Sequence, residues 1–218
     1  MIFNAIQNHL YTIIILHGMF QTNRDLIPLA NNIQNHNHNI KVILPSAPKR
    51  NISWTSPQEI NVSAWYDYYT RKDGLLEHDD INREHFDQQT ERIYSILERE
   101  SKFIHPNKII ISGISQGGTL ALNIGLKYYK KLAGILGIHT VFMDNIIAIN
   151  NIKKLPIYLF SGKRDKIYNI KLQEKSFNIL KNNSLKIYWN IEKNLGHCEF
   201  SLNEIPFILD SINNLLYI

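Results

Sequence analysis

Ser115 lies in Gly113-Ile114-Ser115-Gln116-Gly117-Gly118, a match to G-x-S-x-G. The apolar run Lys108 to Ser112 directly precedes this motif, and a helical pattern, Gln116 to Tyr129, directly follows it. A serine on a sharp strand-to-helix turn is the setting of a nucleophile elbow. Flanking glycines keep Cβ atoms out of the crowded turn, and the helix start offers free N–H groups where negative charge develops. The pattern is not a phosphate loop, because the Lys of G-x-x-x-x-G-K-[ST] is absent.

A serine hydroxyl needs a base to become a nucleophile. Where the elbow occurs in the α/β-hydrolase fold, the chain order is Ser, acid, His. Only His139 and His197 follow Ser115. His197, in Leu195-Gly196-His197-Cys198, sits after the strand candidate Leu185 to Asn190 and before the last helix candidate, as that order requires. His139 follows an earlier strand and is read as a structural or pocket histidine. Asp165, on the loop after Ile157 to Ser161, is the expected acid, with Asp144 its competitor. In these roles His197 takes the Ser115 proton, and Asp165 fixes the His197 tautomer and stabilises its imidazolium. A tetrahedral intermediate needs N–H donors, expected from the backbone of Gln116 and of Met19. Cys198 has no elbow around it and is read as a free thiol.

The elements that must position these groups are legible as alternation. Strand candidates are Tyr11 to Leu16, Ile40 to Leu44, Lys108 to Ser112, Leu132 to Ile138, Ile157 to Ser161 and Leu185 to Asn190. They are nearly continuous apolar runs, as strands read when both faces of a sheet are covered. Helix candidates are Arg24 to Asn35, Asp80 to Glu100, Gln116 to Tyr129, Ile170 to Lys181 and Glu204 to Leu216. This predicts an α/β fold with a mainly parallel sheet and helices on both faces. Nothing divides residues 1–218, so one domain is expected. Pro45 to Trp65 has three prolines and no clean period, and is expected to be a functional loop.

Composition narrows the partners. The net charge is +5, but Lys and Arg are scattered and the densest runs are pairs, so a nucleic-acid function is not expected. One cysteine rules out an internal disulfide framework or a Cys-rich metal site, and suits a reducing compartment. No apolar stretch approaches the ~20 residues of a membrane span. The expectation is a cytoplasmic protein without cofactor or metal. The basic balance leaves peripheral contact with an anionic membrane open, and a homodimer is compatible with the chain.

Several motifs in order resemble the phospholipase/carboxylesterase family, which includes the acyl-protein thioesterases. Leu16-His17-Gly18 resembles its L-H-G-x-G-D loop. Pro45-Ser46-Ala47-Pro48 and Trp65-Tyr66-Asp67 resemble P-x-A-P…W-F-D. Gly113 to Gly118 resembles G-F-S-Q-G-G, Gly162 to Asp165 resembles G-x-x-D, and Gly196-His197 resembles a terminal G-H.

The resemblance spans nearly the whole chain and implies an α/β-hydrolase acting on acyl esters, lysophospholipids or S-acylated proteins. It implies Met19 and Gln116 as the oxyanion donors, and Pro45 to Trp65 as a flexible loop over an acyl groove. Phe20, Trp54, Val141, Phe142 and Ile167 are the apolar loop residues expected to line that groove. Three stretches depart from the pattern: Met19-Phe20-Gln21-Thr22, Lys166-Ile167-Tyr168, and Gly137-Ile138-His139-Thr140, which replaces a Ser-containing turn. They leave substrate specificity open. A non-catalytic protein of the same fold, binding an acyl ligand or a partner, is the alternative.

Overall fold

A computed structural model describes residues 1–69, 80–143, 154–199 and 201–217. In chain order the elements are β1 (Ile2–Phe3), β2 (Tyr11–Leu16), α1 (Ile27–His36), β3 (Ile40–Ile43), β4 (Lys49–Ile52), β5 (Glu59–Ser63) and α2 (Arg83–Glu100). There follow a short 3-10 turn (Pro106–Lys108), β6 (Ile109–Ile114), α3 (Gln116–Lys127), β7 (Gly134–Ile138), β8 (Ile157–Gly162), α4 (Ile170–Asn182), β9 (Ile187–Glu192) and α5 (Glu204–Leu216). Seven strands form one sheet in the order β1-β3-β2-β6-β7-β8-β9. Its pairs are parallel except β1 with β3.

The apolar runs are explained by what covers them. Side chains alternate across a strand, and both faces of this sheet are buried. Ile14, Leu16, Ile109 and Ile111 join Phe86 and Ile93 of α2, Leu120 and Ile124 of α3, and Phe177 of α4 in one cluster. Ile13, Ile15, Ile110 and Val42 join Ala30 and Ile33 of α1 and Ile208 and Ile212 of α5 in the other. Caps fix two helix starts: the Asn82 side chain accepts from His85 N–H, and Asn169 accepts from Lys171 N–H.

The strand order reverses between β2 and β6, since β3 lies on one side of β2 and β6 on the other. In open α/β sheets, ligands bind beyond the carboxyl ends of the strands at such a switch point. Ser115 follows β6 and the Gly18–Met19 loop follows β2, so both arrive there.

Pro45 to Trp65 differs from the expectation of an irregular loop. It carries an antiparallel hairpin, β4 with β5, over a small cluster of Ile52, Val62 and Ala64. The strands are too polar to announce themselves, because most of their residues face solvent. β1 was likewise too short to predict. It pairs at the sheet edge, where Gln34 also donates to Phe3 and Asn4 carbonyls.

Ile111, fully buried in the centre of the sheet, reports on this packing. Ile111→Ala should cost about 2–5 kcal/mol of stability, read as a lower urea midpoint at unchanged slope.

Candidate active site

The turn from β6 into α3 holds Ser115 at φ 51° and ψ −119°, a backbone region that L residues rarely adopt. Two glycines make the turn sterically feasible. A Cβ on Gly113 would lie 2.3 Å from the Gly117 carbonyl oxygen. A Cβ on Gly117 would lie 2.5 Å from the carbonyl oxygens of both Leu16 and His17. Without those atoms, α3 can start directly against the end of β2. The Ser115 N–H donates to the Ile138 carbonyl at the end of β7 (2.9 Å), so the serine is tied to two neighbouring strands.

Ser115 Oγ lies 2.8 Å from His197 Nε2, and His197 Nδ1 lies 2.7 Å from Asp165 Oδ2. For the hydroxyl to donate to Nε2, the imidazole proton must sit on Nδ1, where the carboxylate accepts it. The other oxygen, Asp165 Oδ1, accepts from the backbone N–H groups of Ile167 (2.8 Å) and Tyr168 (2.7 Å). The carboxylate is thus buried and hydrogen-bonded on both oxygens. The sequence-predicted Ser115, Asp165 and His197 are therefore in one hydrogen-bonded chain. Asp144, the competing acid, lies outside the described residues.

The loop after β2 lies against the serine: a Cβ on Gly18 would sit 3.4 Å from Ser115 Cβ. His17 braces it. Its Nε2 accepts from Ala47 N–H at 3.0 Å, which leaves Nδ1 to donate to the Gly18 carbonyl at 2.8 Å. Trp65 Nε1 donates to the His17 carbonyl (2.7 Å), and Gln21 Oε1 accepts from Gly18 N–H (2.8 Å). Gln116 adds a side-chain role absent from the sequence reading. Its Oε1 accepts from Trp65 N–H and its Nε2 donates to the Tyr66 carbonyl, fastening the hairpin connection to the elbow. The Gln116 N–H, first in α3, has no acceptor within its own helix.

Ser115, Gln116 and His197 open on a cavity of about 270 Å³. Met19, Phe20, Trp54 and Ile167 line it, with Tyr68 and Tyr168 hydrogen-bonded to each other through their hydroxyls at 3.1 Å. Of the five residues expected in the groove, Phe20, Trp54 and Ile167 are there. Val141 and Phe142 are a correction. Beyond β7 the chain turns inward: the Val141 carbonyl accepts from Thr119 Oγ1, and Phe142 N–H donates to Ser176 Oγ. Both side chains are thereby buried in the core between α3 and α4.

The sequence reading did not single out Thr55, Glu59 or Tyr68 in the lining, and named Tyr168 only within the departing stretch Lys166-Ile167-Tyr168. Tyr68 and Tyr168 stand three residues or fewer from the motif residues Asp67 and Asp165, the only signal that could have found them. Cys198 lines the same cavity as an exposed free thiol. Among the described residues, no cluster of His, Cys, Asp or Glu could hold a metal ion, and no helix is long and apolar enough to cross a membrane.

Comparison with known proteins gives the family. The phospholipase/carboxylesterase family profile matches residues 1–216. The chain is 32% identical to acyl-protein thioesterase 1 of Schizosaccharomyces pombe over 84% of this chain and 80% of that one. It is 25% identical to acyl-protein thioesterase 1 of Gibberella zeae over 99% of this chain and 93% of that one. The crystal structure of Zea mays acyl-protein thioesterase 2 superposes with a TM-score of 0.80 at 21% identity, covering 99% of this chain and 98% of that one. The chain belongs to the phospholipase/carboxylesterase family of α/β-hydrolases. It is a hydrolase of ester or thioester bonds.

Two outcomes test the braces. Gln116→Ala leaves the Trp65 N–H buried without its acceptor, which should cost about 1–3 kcal/mol in a denaturant titration. Burial lowers the His17 pKa below its ordinary value of 6.5. The folded state therefore binds that proton more weakly than the unfolded chain. The stabilisation is full above 6.5 and drains as pH falls below it. His9 and His85 are lowered by burial in the same way and add to the trend. Thermal midpoints should fall between about pH 7 and about pH 5, and fall less steeply in His17→Gln.

Proposed function

We propose that this chain is a serine hydrolase in which Ser115 attacks the carbonyl carbon of an acyl ester or thioester, with His197 as base and Asp165 as its orienting acid. The observation that carries the reading is the unbroken chain of hydrogen bonds from Asp165 through His197 to Ser115, opening on an apolar cavity. As Oγ bonds to the carbonyl carbon, its proton passes to His197 Nε2. The oxyanion is held by the backbone N–H groups of Met19 and Gln116. Collapse expels the alcohol or thiol, which takes the proton from His197 and leaves an acyl-enzyme on Ser115. Water, deprotonated by His197, then attacks the acyl-enzyme; the carboxylic acid is released as His197 returns that proton to the departing Ser115 Oγ. Asp165 stays ionised throughout and stabilises the imidazolium.

The acyl group occupies the cavity walled by Phe20, Trp54 and Ile167, gaining roughly 0.8 kcal/mol for each methylene it buries. The curated relatives are named as acyl-protein thioesterases, which supports S-acylated protein as a substrate alongside small acyl esters and lysophospholipids. The reading treats residues 1–218 as one domain acting without cofactor in a reducing, cytoplasmic setting.

Hydrolysis of p-nitrophenyl esters from acetyl to octanoyl, and labelling by a fluorophosphonate, test the assignment. Wild type should turn over and label. Ser115→Ala should lose at least about 10³-fold in kcat while keeping the wild-type circular dichroism spectrum. A wild-type protein inert to every ester and to the fluorophosphonate would instead leave an acyl-binding or partner-binding protein as the better account.

A further inference from the structure

His139 is a buried histidine beside the proposed base, and the mechanism above gives it no task. It sits at the first position after β7, at φ 47°, a left-handed conformation uncommon outside glycine. Its backbone N–H donates to the Phe160 carbonyl of β8 at 2.8 Å, and its ring stands edge-on to the Phe160 ring, 5.9 Å between centroids. The same ring lies 5.9 Å from the ring of His197. His139 Nε2 approaches Glu204 Oε2 at 3.3 Å, while Nδ1 is buried with no hydrogen-bond partner. A carboxylate at Nε2 requires the proton there.

Glu204 is the first residue of α5, and the loop carrying His197 runs from the end of β9 into that helix. The loop is pinned near its start by Gly196 N–H donating to Glu199 Oε2 (2.8 Å). It is pinned further along by Ser201 Oγ donating to Glu192. The contact of His139 with Glu204 closes the far end, and it does so from the strand whose last carbonyl holds the Ser115 N–H. The His197 ring is thus flanked by two rings, that of His139 and that of Tyr168, 5.3 Å away and nearly perpendicular.

We infer that His139, held by Glu204, is a positioning residue for His197, and that the pair forms a second carboxylate–imidazole unit supporting the base. This rests on the reading of Ser115, His197 and Asp165 given above. The titratable groups facing the assembly are Glu204 from α5, His197 from the loop after β9, and, through His197, Asp165 and Tyr168 from the segment after β8. The Glu204 carboxylate adds negative charge behind the ring that becomes an imidazolium during acyl transfer. The ring contact limits the tilt of His197 away from Ser115 Oγ.

Two variants separate the contributions. His139→Phe keeps a ring against Phe160 and His197 but removes the link to Glu204. Glu204→Gln keeps the shape and removes the charge. Steady-state kinetics on a p-nitrophenyl ester should show kcat of His139→Phe lowered about tenfold with KM within about twofold, below the 10²-fold that a 1 Å misplacement can cost. The acid limb of the kcat/KM profile should move to lower pH in Glu204→Gln, because the protonated base has lost a nearby negative charge. A structural brace alone would leave that limb in place. Wild-type kcat in folded His139→Phe, a loss confined to KM, or an unmoved acid limb in Glu204→Gln would each overturn the inference. Failure of the underlying reading shows separately, as Ser115→Ala retaining wild-type turnover.

Discussion

How closely α3 can approach the end of β2 governs the site. The Gly117 Cα lies where any side chain would collide with the Leu16 and His17 carbonyls. Because the collision is absent, the helix start, the serine and the loop after β2 share one small volume. The left-handed backbone of Ser115 is a consequence of that turn, and its cost is carried by the strands on either side. The sheet does this work through its topology: between β2 and β6 the strand order reverses, and a crevice opens at such a switch point.

Around that approach, side chains supply partners to backbone atoms of the loops. His17, Trp65 and Gln116 contribute little to the cavity's chemistry as side chains. Each instead ties one loop to another: the β2 loop to the Ala47 segment, the hairpin connection to the β2 loop, and the hairpin connection to the elbow. Buried hydrogen bonds of this kind are modest in net stability but expensive to leave half made. They therefore specify one arrangement of loops rather than a family of them. A serine, an imidazole and a carboxylate then meet at hydrogen-bond distance.

Much of this was legible in the sequence because both faces of the sheet are covered. Ile13, Ile14 and Ile15 read as an unbroken apolar run since alternate residues enter opposite cores. The spacing of Ser115, Asp165 and His197 followed from chain order and from loops at strand ends. Legibility stopped where residues face neither solvent nor core uniformly. The β4–β5 hairpin is stabilised by three small apolar side chains and by its ties to the elbow, and none of these has a periodic signature. Val141 and Phe142 read as loop residues near the serine, but hydrogen bonds to Thr119 and Ser176 turn them inward, which no local pattern encodes. The Tyr68–Tyr168 contact joins residues 100 positions apart, and sequence alone has no means of pairing them.

The separation of the reacting groups along the chain has a consequence for biosynthesis. The proposed base follows Ser115 by 82 residues, after β7, β8 and β9 have all been laid down in order toward one edge of the sheet. A nascent chain that has completed the elbow has neither the proposed acid nor the proposed base. On the proposed roles, hydrolytic capacity arrives only when the loop after β9 has been made, and a shorter nascent chain lacks it.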